Sequence, residues 1–178
     1  MIILREYWDV YGEDYRKIDG KIAIRGKHDL GLHEYHLVVY AWIVSSDGRV
    51  IISRRQKGRS FGGTWECTGG CAKAGEDSKT AVLREVKEEL GITLKEENGR
   101  LYKRYKRRYP VGAKAICDVW VFHQDISPNE FHLQTDEVSD VKTVTFEELL
   151  DMQLRGAFKK RYFYLEDMLA TLKAVTVI

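Results

Sequence analysis

The chain is poor in the features that would place it outside a reducing cell interior or inside a membrane. It has only three cysteines, an odd number with no framework spacing, which excludes a disulfide-stapled scaffold and fits a cytoplasmic protein. No apolar run approaches the roughly 18 residues of a membrane helix. The opening MIILREYWDV has neither the basic start nor the long apolar core of a secretion signal. A formal net charge of +2 is too small to argue for a nucleic-acid partner. Repeats, low-complexity tracts and dividing linkers are also missing, so the 178 residues are read as one domain, with 44% hydrophobic residues to build its core.

What is present centres on Gly70 to Ile92, GCAKAGEDSKTAVLREVKEELGI. A glycine-containing loop gives way to Val82, Val86 and Leu90, spaced every four residues as on one stripe of a helix. Asp77 or Ser78 can cap its start, and Gly91 can end it in a left-handed turn. Glu85, Glu88 and Glu89 then share one face, within about 100° of arc. A like-charge pair at that spacing costs roughly 0.2–0.5 kcal/mol. Arg84 can relieve one of the three. A hard divalent cation turns the cluster into a site, because Mg²⁺ and Mn²⁺ prefer carboxylate oxygens, whereas without one it is a solvated charged face.

Around this helix the chain reads as strands. Glu6 to Arg25 is a hairpin extension spanning about residues 5–26, with its turn at Asp19-Gly20. His36 to Ser45 is the longest apolar run and reads as a central strand buried on both faces, with Arg49 to Ser53 as its partner. Arg54, Arg55, Lys57 and Arg59 follow in a basic loop, a place for phosphate oxygens or an ordinary solvated loop. Leu101 to Tyr109 alternates aromatic and basic residues. As a strand it sets Tyr102, Arg104, Lys106 and Arg108 on one face and Lys103, Tyr105, Arg107 and Tyr109 on the other. This is an edge strand whose charges either guard the edge or meet an acidic ligand. Ile116 to His123 is a second buried strand interrupted by Asp118, and Val138 to Val144 a further one. Helices are expected at about 146–154 and 157–173, separated by Gly156. Strands, a helix, more strands and two helices describe a mixed sheet with helices on both faces, an α/β/α sandwich.

From Gly70 the stretch runs as glycine, five residues, Glu76, seven residues, Arg84-Glu85-Val86, one residue, Glu88-Glu89, one residue, Gly91-Ile92. It resembles the Nudix box, with seven fixed identities and two apolar positions in register. The resemblance implies the same α/β/α architecture and hydrolysis of a diphosphate linkage, as in nucleoside diphosphate derivatives, by water attack at phosphorus with Mg²⁺ or Mn²⁺. Carried over residue by residue, Glu85, Glu88, Glu89 and the Gly70 carbonyl are metal ligands, Arg84 fixes a carboxylate, and Glu76 anchors loop to helix, with Gly75 and Gly91 as turn residues. Glu88 and Glu137 are both candidates for general base. Arg54, Arg55, Arg59 and Trp65 are candidate substrate-binding residues, and Trp65, Tyr109 and Trp120 candidate base-stacking rings.

From roughly Glu6 to Val144 the chain also looks like the isopentenyl diphosphate isomerase branch of that family. His36 falls where the isomerase has a metal-binding histidine, and Arg55 where it has a diphosphate-binding arginine. The position of its catalytic cysteine holds Gly69, that of the next histidine ligand Cys71, and the distant glutamate pair is reduced to Asp118. A hydrolase is therefore expected over an isomerase, with a silent nucleotide-binding module as a third reading. His36, Cys67, Cys71 and Cys117 offer a soft-metal set or plain core filling. A small-molecule diphosphate is the expected partner, and the hairpin offers an edge for a homodimer.

Overall fold

A computed structural model describes residues 5–27, 29–108, 114–158 and 162–176. Two strands, β1 (Tyr7–Tyr11) and β2 (Lys17–Ile24), form a hairpin of their own. Seven more build the main sheet: β3 (His36–Val44), β4 (Val50–Arg55), β5 (Trp65–Glu66), β6 (Thr68–Cys71), β7 (Gly99–Arg108), β8 (Lys114–His123) and β9 (Val138–Val144). The helices are α1 (Ser78–Leu90), α2 (Phe146–Leu154) and α3 (Leu165–Thr176).

β3 is the spine. All nine of its residues are buried, and side chains alternate across a strand, so its two faces feed two cores. Leu37, Val39, Ala41 and Ile43 pack with Ala81, Val82, Val86 and Leu90 of α1. Val38, Tyr40, Trp42 and Val44 pack with Phe146, Leu149, Leu165 and Met168 of α2 and α3. That is the expected α/β/α sandwich. β3 runs parallel to β8 and antiparallel to β4 and β6, so the sheet is mixed.

The start and stop of α1 follow the cap residues. Asp77 accepts a bond from the Thr80 N–H at 2.7 Å, and Gly91 adopts φ 75°. A side chain at Gly91 would also strike His132, 2.5 Å from the ideal Cβ position.

The structure departs from the sequence expectations in four places. The hairpin turns at Gly12–Arg16, closed by the Gly12 N–H to Arg16 carbonyl bond, with Tyr15 at φ 65°. Asp19-Gly20 instead forms an irregularity within β2, where the register jumps between Asp9 opposite Ile22 and Tyr11 opposite Lys17. Arg54 and Arg55 end β4 instead of lying in the following loop. A bulge at Tyr102 breaks the alternation of β7, so Tyr102 joins Tyr105 against Tyr164 and leaves the face of Arg104. Finally, the last helix starts at Leu165, not Ala157. Trp65 binds the Ala157 carbonyl at 3.0 Å and bridges to Phe158, drawing that segment to the sheet edge. Phe158, Tyr162 and Tyr164 are then buried as core.

Asp118 is fully buried in β8, and Arg104 on the neighbouring β7 donates to both of its oxygens at 2.6 Å. Removing the partner leaves a charge without compensation in the core, which costs about 3–5 kcal/mol when both groups are buried. Because Arg104 is 38% exposed, water offsets part of this. Arg104→Ala should destabilise the fold by about 2–3 kcal/mol, and Asp118→Asn added to it should recover part of the loss. Urea denaturation of the two variants checks this.

Candidate active site

β6, the strand that leads into the loop before α1, carries two glycines. A Cβ on Gly69 would lie 2.1 Å from the Val39 carbonyl oxygen, and one on Gly70 2.6 Å from the Glu85 carboxylate. Only glycine lets β6 run this close to β3 and lets a carboxylate of α1 reach the strand.

The acids of α1 then face a cavity of about 670 Å³. Glu85, Glu88, Glu89, Arg84 and Gly70 all line it, as do Arg55 and Glu137 from other elements. Arg84 is the hub. Its guanidinium donates to Glu76 at 2.6 and 2.9 Å, Glu85 at 2.9 Å, Glu88 at 2.8 Å and the Cys71 carbonyl at 3.0 Å. Burial works against this cation, but the bonds it donates to Glu76 and Glu85, with their charges, outweigh it and raise its pKa. Burial also opposes ionisation of Glu76, yet the Arg84 and Lys73 bonds bring its pKa below the usual carboxylate range. Lys73 adds a second cation to Glu88 at 3.1 Å.

Glu89 is the exception. It lies under the sheet, where the Gly69 N–H reaches it at 3.4 Å. Burial, with Glu85 and Glu66 nearby, pushes its pKa well above the ordinary carboxylate value. Glu85 is shifted the same way by burial, partly offset by Arg84. A buried carboxylate in this state calls for a cation. As they stand, Arg84 and Lys73 hold the acids, and no three His, Cys, Asp or Glu donors among the described residues converge on one point.

The basic loop divides. Arg55 lines the cavity and pairs with Glu66 at 2.6 Å. Arg59 pairs with Glu137, which also lines it. Arg54 donates to the Gly63 carbonyl at 2.9 Å and lies over the Trp65 ring, and neither of these two lines the cavity. Trp65 packs against the core, and Trp120 donates to Ser78 at 2.9 Å. Tyr109 lies outside the described residues. Glu76 and Gly75 hold the loop, and Gly91 ends the helix away from the cavity lining.

Several lining residues carry no motif: Glu6, Trp8 and Arg25 of the hairpin, with Lys73, Arg107 and Gln134. The alternation of Glu6 and Trp8 along a strand was the available signal, but nothing in the spacing sets that strand beside the box loop. Cys71 also lines the cavity, and burial pushes its thiol up to about 12, so it stays protonated. Cys67 is buried against Tyr162.

His36 begins β3 beneath the indole of Trp8, with ring centroids 4.3 Å apart and 18° between planes. It is 5% exposed, and its Nδ1 is buried with no hydrogen-bond partner. Burial lowers its pKa from 6.5 to about 4.

A NUDIX domain model matches residues 34–166. An uncharacterised Nudix hydrolase of Listeria innocua is 35% identical over 174 residues, covering 97% of this chain and 98% of that one. Isopentenyl-diphosphate Delta-isomerase 1 of Photorhabdus laumondii is 31% identical over 119 residues, covering 63% of this chain and 68% of the isomerase. A Deinococcus radiodurans crystal structure superposes with a TM-score of 0.69 at 22% identity, over 93% of this chain and 98% of that one.

The depressed pKa of His36 carries a stability consequence. Between about pH 4 and pH 6.5 the unfolded chain binds a proton at this ring that the folded chain does not. Stability from this residue is therefore complete above pH 6.5 and lost as the pH falls towards 4. By linkage the loss at pH 5 is about 1–2 kcal/mol. His36→Phe, which keeps the stack on Trp8, should narrow the stability difference between pH 7 and pH 5 by that amount in paired denaturant titrations.

Proposed function

Because the chain belongs to the Nudix family, whose hydrolases cleave diphosphate bonds in nucleotide derivatives, we propose that it is a metal-dependent hydrolase cleaving a diphosphate linkage by attack of water on phosphorus. The observation that carries this reading is that Glu85, Glu88, Glu89 and Gly70 line one cavity that also presents Arg55 and Lys73.

This donor set fits a hard divalent cation. It is all oxygen, and its buried member, Glu89, is pushed by burial towards neutrality for want of a counter-charge. Glu85, Glu88, Glu89 and the Gly70 carbonyl would hold Mg²⁺ or Mn²⁺. Such an ion supplies charge neutralisation at the phosphate oxygens and eases proton loss from water. Arg84 bonds Glu85 and Glu88 and so fixes two of the three acids against each other. Arg55 and Lys73, paired here with Glu66 and Glu88, are the lining cations assigned to substrate phosphate oxygens. Glu137 is assigned as proton acceptor. It lines the cavity from the loop before β9, outside the ligand set, and serves one arginine, Arg59, where Glu88 serves two cations.

The isomerase reading is disfavoured on steric grounds. Where the resemblance calls for a catalytic cysteine stands Gly69, and no side chain fits there without displacing the β3 backbone 2.1 Å away. Incubation with isopentenyl diphosphate should yield no rearranged allylic product.

Two sets of variants test the site. Glu88→Gln and Glu89→Gln should each lower turnover at least about 100-fold on a diphosphate substrate found by screening, with an unchanged circular dichroism spectrum. Glu137→Gln should lower kcat by about 100-fold or more, while Mn²⁺ affinity, followed by electron paramagnetic resonance, stays within about twofold. A loss of Mn²⁺ binding in Glu137→Gln would place that residue among the ligands instead.

A further inference from the structure

Three side chains of the cavity come from the N-terminal hairpin: Glu6 just before β1, Trp8 within it, and Arg25 just after β2. All three precede residues 34–166, which the NUDIX domain match covers. They form a built wall. Trp8 is stacked on His36, its indole N–H donates to Glu6 at 2.7 Å, and Arg25 donates to the other Glu6 oxygen at 2.8 Å. The wall is also tied to the box loop. The Ala74 N–H donates to the Tyr7 carbonyl at 2.8 Å, and the Gly75 N–H to the buried Asp9 at 2.9 Å. The strand that carries Trp8 is thus bonded on either side of that residue to the loop leading into the acid-bearing helix.

The chemistry of the wall selects among diphosphates. Val38 is the one aliphatic side chain among the described lining residues, whereas Trp8, His36, Tyr40 and Phe61 present rings. A branched hydrocarbon tail would find little aliphatic surface and would desolvate the Glu6–Arg25 pair without replacing its hydration. Glu6 and Arg25 already neutralise each other at 2.8 Å, so the diphosphate is assigned to the side of the cavity where Arg55 and Lys73 lie with the acids of α1. A flat heteroaromatic ring meets both conditions. Its face packs on the indole and its edge donors meet a carboxylate.

We infer that the hairpin is the base-selecting wall of this site, with Trp8 as its specificity-determining residue. This rests on the hydrolase reading for the position of the diphosphate but is tested by binding alone, so the two fail separately.

The test is calorimetric titration with ADP, CDP, GDP, UDP, dimethylallyl diphosphate and inorganic diphosphate, with Ca²⁺ replacing Mg²⁺. At least one nucleoside diphosphate should bind about tenfold or more tightly than inorganic diphosphate, the scale of base stacking on an aromatic side chain. In Trp8→Ala that ratio should fall to within about twofold of unity, and Trp8→Phe should keep most of it. In the wild-type protein, the same nucleotide should shift the Trp8 indole N–H resonance, and inorganic diphosphate should leave it in place, a readout independent of how the variants fold. The inference is overturned if no nucleoside diphosphate outbinds inorganic diphosphate. A larger ratio for dimethylallyl diphosphate, a ratio that survives in Trp8→Ala, or a Trp8 signal indifferent to nucleotide would also overturn it.

Discussion

The five N–H groups of one arginine make the acidic helix tenable. Carboxylates at i, i+3 and i+4 on a partly buried face repel each other more strongly than they would in water. Arg84 answers this by bonding Glu76, Glu85, Glu88 and the Cys71 carbonyl at once, using every donor it has. A lysine carries the same charge but has a single nitrogen, so it cannot span loop and helix in this way. The bonds reach both sides of the turn between β6 and α1. The same guanidinium therefore sets the loop against the helix and the carboxylates against each other.

Glu89 escapes this arrangement, and its position explains why the site needs more than the arginine. It is buried beside Gly69, beyond the bonds that Arg84 makes, and burial drives it towards the neutral acid. The close approach of β6 to β3 at Gly69 puts it there, and the missing side chain at Gly70 leaves room beside it for the Glu85 carboxylate. Backbone sterics, helix register and electrostatics thus meet at one spot. The glycines bring α1 near the sheet, the helix points three acids into the gap, and Arg84 leaves one of them requiring an external positive charge.

How much of this was legible in the sequence depended on whether the controlling interaction is local. β3, α1 and β8 are governed by runs and periods within their own residues. The buried run from His36, the stripe of Val82, Val86 and Leu90, and the cap at Asp77 all appear as the pattern predicts. The expectations that missed are those in which a distant partner overrides a local signal. Asp19-Gly20 is a good turn pair, but Gly12 and Tyr15 make the turn and leave it as a bulge in β2. Residues after Gly156 have helical composition, yet Trp65 captures Ala157 and Phe158 at the sheet edge before a helix can form. Arg54 and Trp65 both suit a ligand by type, and they face each other across the β4–β5 ladder. Within the site, the box residues could be named because their spacing is fixed by one loop and one helix. Trp8, Glu6 and Arg25 could not, because what brings them to the cavity is a pair of hydrogen bonds to a loop more than sixty residues away.

This division between local and distant control bears on how one fold serves different chemistry. The acid cluster is specified within a single turn of helix, so it can be retained while the surrounding walls change. The relatives of this chain include proteins named as hydrolases and one named as an isomerase. A shared scaffold alone therefore does not decide the reaction. What decides it is which side chains reach the cavity from elements outside the box, and whether the backbone beside the box has room for a reactive group. At Gly69 there is no such room, because the β3 carbonyl already fills the space a side chain would need. Water attack asks for no protein nucleophile at that point, and carboxylates and cations line the other walls of the same cavity. The close packing that leaves no room for a side chain at residue 69 is the same packing that seats Glu89 against the Gly69 N–H.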